Sequence, residues 1–329
     1  MRPLWVGLLL VCAAAAQVPR VGDINLYGLH KVTADRVLNA AGVRSGERLP
    51  ASKGDVEDNI EKLPGVVLSR LEAICCDGNS VVLFIGIEER GAAHPSFRSP
   101  PAGTAMLSQE LIDTYNKYLA AVTRAAAQGK ASEDFTAGHS TMDDPEVRAL
   151  ESRFLAFAGD HVDWLRDVLR SGPEADQRAI AATVIGYTSN KSKVVDDLQF
   201  ALQDPDDAVR ANALRSLRAI AVYASKHPEA GIKVSATWMV ELLNSIVLSD
   251  RVEAAKTLVT LTDSSNPPAI ALLRERSLPA LAEMARWKTL RYALPSFLLL
   301  GRTAGIPEDR IRSAWQKGDR EAVIGKALK

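Results

Sequence analysis

The sequence predicts an α+β multidomain chain: a small β-α-α-β-β module followed by an all-α superhelix of stacked helix pairs. Three observations carry this. Apolar positions alternate with period two in the strand-like stretches between residues 21 and 90, then recur every three or four from Leu107 onward. A block beginning with arginine returns at Arg178, Arg210, Arg251 and Arg291, at spacings of 32, 41 and 40 residues. A length of 329 residues also exceeds what one compact core usually holds.

The N-terminus reads as an export leader. Met1-Arg2 supplies a positive start, Leu4 to Val11 an apolar run, and Ala13 to Ala16 the small residues a signal peptidase needs. Residues 1–16 are therefore expected to be a signal peptide cut after Ala16. The run is too short to span a bilayer, and no later run is long enough. The mature chain is expected without an integral membrane segment, periplasmic or secreted, and periplasmic if the source is a Gram-negative bacterium. Val11 argues against a lipid on Cys12, because that site wants a small residue before the cysteine. Forty basic and forty acidic residues give a net charge of +0, without the basic excess a nucleic-acid binder shows, so no nucleic-acid partner is expected.

Residues 20–90 form the predicted module. Val21 to Tyr27 is a strand with Ile24 and Leu26 alternating, closed by Gly28. Thr33 is placed to cap a helix carrying Val37, Leu38 and Ala41, and Ser52 a second helix carrying Val56, Ile60 and Leu63. Pro64-Gly65 stops it. Val67 to Cys76 and Val81 to Glu88 are paired strands around Asp77-Gly78-Asn79, with Val81, Leu83, Ile85 and Ile87 facing one way. This pattern resembles the polypeptide-transport-associated (POTRA) domain: Ile24 to Gly28, a helix, Gly42-x-x-x-Gly46, a helix ending Leu63-x-Gly65, and a hairpin ending Ile87-Glu88-Glu89. The resemblance implies a module that binds chains by lending a sheet edge, here expected near residues 81–88. It also implies, as an alternative role, an accessory factor in outer-membrane protein assembly or secretion. Such modules often come in tandem ahead of a membrane barrel, whereas this chain has one and no barrel pattern follows.

Residues 91–104, with Pro95 and Ser99-Pro100-Pro101-Ala102-Gly103, read as a linker, either semi-stiff and extended or docked on one domain. Relative motion of the two parts is the default expectation. Residues 105–329 are then helical. Leu107, Leu111, Tyr115, Tyr118, Val122 and Ala125 form one stripe behind Ser108, and Gly129 ends it. The repeats follow. Ala stands three after the arginine at Ala181, Ala213 and Ala254, with Leu294 in the fourth copy, and Asp144-Pro145 echoes Asp204-Pro205. These features resemble HEAT repeats, an armadillo-type solenoid. Pro is preorganised for a first helical turn, and Asp favours the positive helix end. Two departures are expected to disturb regular stacking: Pro267-Pro268 lengthens one connection, and Pro295 should kink or shorten the last repeat's first helix.

Chemistry is sparse. No nucleophile elbow, phosphate-binding glycine loop, His-Glu-x-x-His or Cys-x-x-Cys occurs, so no enzyme, cofactor or metal is expected. The polar loop Glu133 to Asp144, with His139, reads as a connector in which Asp143 or Asp144 caps the next helix. The alternative is a carboxylate and imidazole cluster that with His161 would make a metal-dependent hydrolase. Arg148, Arg178, Arg210, Arg251 and Arg291 recur in register. They either line a ridge that reads a protein or peptide partner or pair with acidic residues of the next repeat, such as Asp176, Asp206, Asp207 or Asp250. Cys75 and Cys76 are expected as one buried and one partly exposed thiol, with a vicinal disulfide or a bridge to a second chain as alternatives. The functional expectation is an extracytoplasmic, non-catalytic scaffold that binds a protein or peptide through its helical-repeat surface.

Overall fold

A computed structural model describes residues 19–77, 80–263 and 266–329. The expected leader, Cys12, the Gly78-Asn79 turn and the side chain of Cys76 lie outside the described residues.

The module runs β1 (Arg20–Tyr27), α1 (Ala34–Ala41), α2 (Lys53–Glu61), β2 (Val66–Asp77) and β3 (Ser80–Glu89). Ser52 caps α2 by accepting from Asp55 N, whereas Thr33 makes no such bond at α1. The sheet order is β1-β3-β2, with β1 parallel and β2 antiparallel to β3. β3 is therefore central, and the binding edge expected at residues 81–88 is corrected: the edges are β1 and β2. The cause is burial on both faces, as a near-continuous apolar strand requires. Val81, Leu83, Ile85 and Ile87 share a core with Val37, Val56 and Ile60 of the two helices. Val82 and Phe84 point the other way and, with Tyr27, join the core of the helical part.

Both edges are also partly covered. Glu61 and Glu57 of α2 accept from Ser69 N at 2.8 Å and Leu71 N at 2.7 Å, blocking part of β2. On β1, Val21 N donates to Glu47 O and its carbonyl accepts from Gly46 N. Backbone groups paired in this way cannot template an added strand.

The helical part begins with α3 (Gln109–Ala127), whose Ser108 side chain accepts from Leu111 N, then a two-rung hairpin of β4 (Glu133–Asp134) and β5 (Thr141–Met142). Next come α4 (Pro145–Asp160), α5 (Val162–Ser171), α6 (Ala175–Val184), α7 (Val195–Ala201), α8 (Asp207–Lys226), α9 (Thr237–Leu242) and α10 (Leu248–Leu261). The last five are α11 (Pro267–Arg276), α12 (Leu278–Ala285), α13 (Leu290–Thr303), α14 (Glu308–Lys317) and α15 (Arg320–Ala327). α6, α8, α10 and α13 pack in series as one layer, backed by α5, α7, α9 and α12. Pro267-Pro268 does more than lengthen a connection. It opens an extra helix, α11, with Asn266 as its cap. Pro295 lies inside α13 without ending it, so the expected shortening does not occur; its ring sits on a half-exposed face and removes a single backbone donor.

The module is docked on the helices. Phe84 meets Trp287 and Tyr292 edge-on, with ring centroids 5.1 and 5.6 Å apart. Tyr27 OH donates to Ile246 O at 2.8 Å, and Asn25 accepts from Lys288 N at 2.8 Å. Gly86 makes the approach possible, since a Cβ there would lie 2.7 Å from Ile246 O and from the Tyr27 ring. Residues 91–104 run as a strap over the helix turns, where Arg98 N donates to Gln203 O and Gly103 N to Ser171 O. In this structure aromatic burial and paired polar groups put module, strap and repeats in contact, the docked arrangement of residues 91–104 that the sequence left open beside a free linker.

Candidate protein-interaction site

The recurrent arginines explain how successive repeats are tied. The Arg178 guanidinium forms two bonds to Asp204, at 2.8 and 2.9 Å, and caps the Gly172 and Pro173 carbonyls. One repeat on, Arg210 does the same with Asp250, at 2.9 and 2.8 Å, and with the Asp204 and Pro205 carbonyls. Arg251 donates to Ser245 O and reaches Glu283 at 3.3 Å. The three arginines are 2%, 1% and 3% exposed. They are inter-repeat ties, so the partner-reading ridge expected of Arg178, Arg210 and Arg251 is not at the surface. A fork of donors fits a carboxylate in two places, and that match lets a buried charge persist. Arg148 and Arg291 are exposed. Arg148 donates to the Met142 and Asp143 carbonyls, and Arg291 lies 5.0 Å from the Tyr292 ring centroid.

Glu283 also joins the two parts of the chain. It accepts from Gly28 N at 2.9 Å and Leu29 N at 3.3 Å while facing Arg251. Just beyond, Glu89 accepts from His30 N at 2.7 Å, Lys31 N at 2.8 Å and Val32 N at 3.0 Å. Burial opposes ionisation of Glu89, but the backbone donors outweigh it and hold its carboxyl below the usual range.

Between module and repeats lies an open cleft. One part, about 700 Å³, is walled by the Gly28–His30 turn, Glu88, Arg276 and Glu283. The adjoining part, about 900 Å³, is walled by Leu68, Arg70, Phe97, Pro205 and Val247. Glu88, His94 and Ile246 line both parts. Arg70 crosses the cleft to Asp207 at 2.7 Å.

The 133–144 loop is a packed polar hairpin. Glu133 pairs with Arg215 and accepts from Ser140 Oγ, Phe135 lies under the Arg218 guanidinium at 4.5 Å, and Glu151 accepts from Met142 N. Asp144 caps α4 through Glu146 N and Val147 N. His139 lies against Tyr187 and 3.4 Å from Lys191 Nζ. Burial, then Lys191, lowers His139 to about 4; burial lowers Lys191 to about 8. His161 stands apart, between α4 and α5, with its ring against Trp164. Among the described residues no group of three or more His, Cys, Asp or Glu is placed to hold a metal ion. Cys75 is disulfide-bonded, which corrects the expectation of a free thiol there.

Sequence reasoning missed Asp204, Glu283, Leu68 and the Phe97-Arg98 pair. Asp204 had a signal, standing in the repeated Asp-Pro motif. Glu283 had none.

Residues 162–244 match the family described as HEAT repeats. The match covers about a quarter of the chain and takes in the Arg178–Asp204 tie and Arg210, whereas Asp250, the partner of Arg210, lies beyond it. No curated protein matches the chain, and no solved structure does.

Proposed function

We propose that this protein is an exported, non-catalytic scaffold that takes a protein or peptide partner in the cleft between its module and its repeat turns. One observation carries the reading: HEAT repeats, which commonly mediate protein–protein contacts, are joined here to a second module with an open cleft along the join. The ties at Arg178, Arg210 and Arg251 support it by removing the buried ridge as a rival surface. The covered sheet edges support it too, since the POTRA-like module then serves as a cleft wall rather than a strand donor.

The test is a photo-crosslinking amino acid at Leu68 or Arg276, with Lys326 as a remote control, in protein expressed in its source cells. A discrete protein captured from the envelope at the cleft positions alone, on chains whose N-terminus is Gln17, is the expected result. Capture of nothing at the cleft, or equal capture at Lys326, would sink the reading.

A further inference from the structure

We propose that the wider part of the cleft binds an extended partner segment in which an apolar side chain sits beside Lys or Arg. This rests on the scaffold reading and names its partner class.

The argument starts with β2. From Leu68 to Ile74 its even-numbered residues face the repeats, and each but one is engaged; Val66, across a register shift, joins the module's own core. Ile74 packs on the helical core, Glu72 accepts from Leu248 N at 3.2 Å, and Arg70 pairs with Asp207. Leu68 is the exception. It stays 45% exposed, opening onto the cleft where sheet and repeats diverge. Phe97, Pro205 and Val247 continue this floor. Exposed apolar surface inside a concave site marks a place where a partner's apolar group gains most from leaving water.

The rim carries Glu88, Asp206 and Asp207 against one exposed guanidinium, Arg70. Arg210 also lines the cleft, but it is 1% exposed and cancelled by Asp250. The surplus is acidic, and it favours a cation beside the apolar anchor.

The chain itself shows the same chemistry one turn away. The strap docks on the helix turns through Phe97-Arg98, an apolar–basic pair. The Phe97 ring lies 3.8 Å from the Arg210 guanidinium carbon. Arg98 stacks 3.4 Å over Phe200 and donates to Phe200 O at 3.1 Å. Repeats present similar turns at each step. The chain's own pair sits on Phe200, Gln203 and Arg210; at the next turn Ile246 O is taken by the module's Tyr27, and Leu68 beside it stays exposed.

The experiment uses the mature chain, residues 17–329, and three fluorescein-labelled decapeptides in a Gly/Ser/Pro background. Their central pairs are Phe-Arg, Phe-Glu and Ser-Arg. Fluorescence anisotropy should show Phe-Arg binding at least about tenfold tighter than the other two. Glu88→Lys and Leu68→Ser should each weaken it by about tenfold. Leu68 is exposed, so unchanged circular dichroism and melting are expected for that variant. Equal binding of Phe-Glu, indifference to both substitutions, or no binding of any peptide overturns the proposal. Capture of a second copy of this chain at Leu68 overturns it too. If both variants still capture the envelope partner, the scaffold reading stands and this partner class falls; if the parent protein captures nothing, the scaffold reading falls first.

Discussion

The first two arginine ties and the third differ in what they hold. Arg178–Asp204 and Arg210–Asp250 join repeat to repeat, each through two bonds between side chains at most 2% exposed. Arg251 makes a single longer contact to Glu283, whose other bonds go to the Gly28–Leu29 turn of the module. Tyr27 fills the space beside it, 4.7 Å from the Arg251 guanidinium. The same ladder position thus stiffens the solenoid in two repeats and fastens a second module in the third. The loosening of side-chain geometry at the third step is where the chain gains an inter-module bond.

The largest effect should come from breaking a purely internal tie. Arg210→Ala leaves Asp250, already pushed upward by burial, without the guanidinium that stabilises its charge. Stability should fall by about 3–5 kcal/mol in chemical denaturation. Removing both partners as Arg210→Met with Asp250→Leu should recover much of that loss, because the stranded charge disappears. A double variant no better than the single one would show that the bonds to the Asp204 and Pro205 carbonyls matter more than the ion pair.

Glu283→Gln comes next and sharpens the comparison. It keeps a hydrogen-bonding side chain but removes the charge facing buried Arg251, for a loss of about 2–3 kcal/mol. Its signature should be spatial. Amide exchange at Gly28 and Leu29 should speed up, while the amides of α6 and α8 stay protected. Uniform loosening of all repeats would mean that Glu283 acts as an ordinary tie and not as a fastener for the module.

Much of this architecture was legible in the chain. The change of apolar period from Leu107, the Ser52 and Ser108 caps and the Asp144-Pro145 start marked elements, because local backbone preferences and periodicity act over a few residues; Asp204-Pro205 did not, since α8 is capped by Asp206 instead. Arg178 and Arg210 were visible as a repeat, but their partners were not: Asp204 and Asp250 lie 26 and 40 residues away, and only stacking brings them close. The module's docking had one readable clue. Val81 to Ile87 is apolar at even as well as odd positions, interrupted only by Gly86, which is the signature of a strand covered on both faces. Reading only the odd positions put β3 at an edge. The cleft was not legible at all, since it depends on where sheet and repeats diverge, and Leu68 looks like any other strand residue.

The smallest expected effect separates the ladder from the polar hairpin at residues 133–142. The ladder buries charges as matched pairs, so it should be insensitive to pH near neutrality. The hairpin instead buries an imidazole, facing Lys191 and the Tyr187 ring, beside Gly138 and Ser140. His139 is held at about 4 against an ordinary 6.5, so between those values the unfolded chain takes up a proton that the folded chain refuses. The contribution is complete above pH 6.5 and is lost as the pH falls towards 4. His139→Gln removes the titrating group while keeping a polar side chain. The difference in melting temperature between pH 7 and pH 4.5 should therefore be smaller in the variant than in the parent, by a few degrees at most. An unchanged difference would assign the acid sensitivity to carboxylates held low by their donors, such as Glu89, and leave the hairpin no part in it.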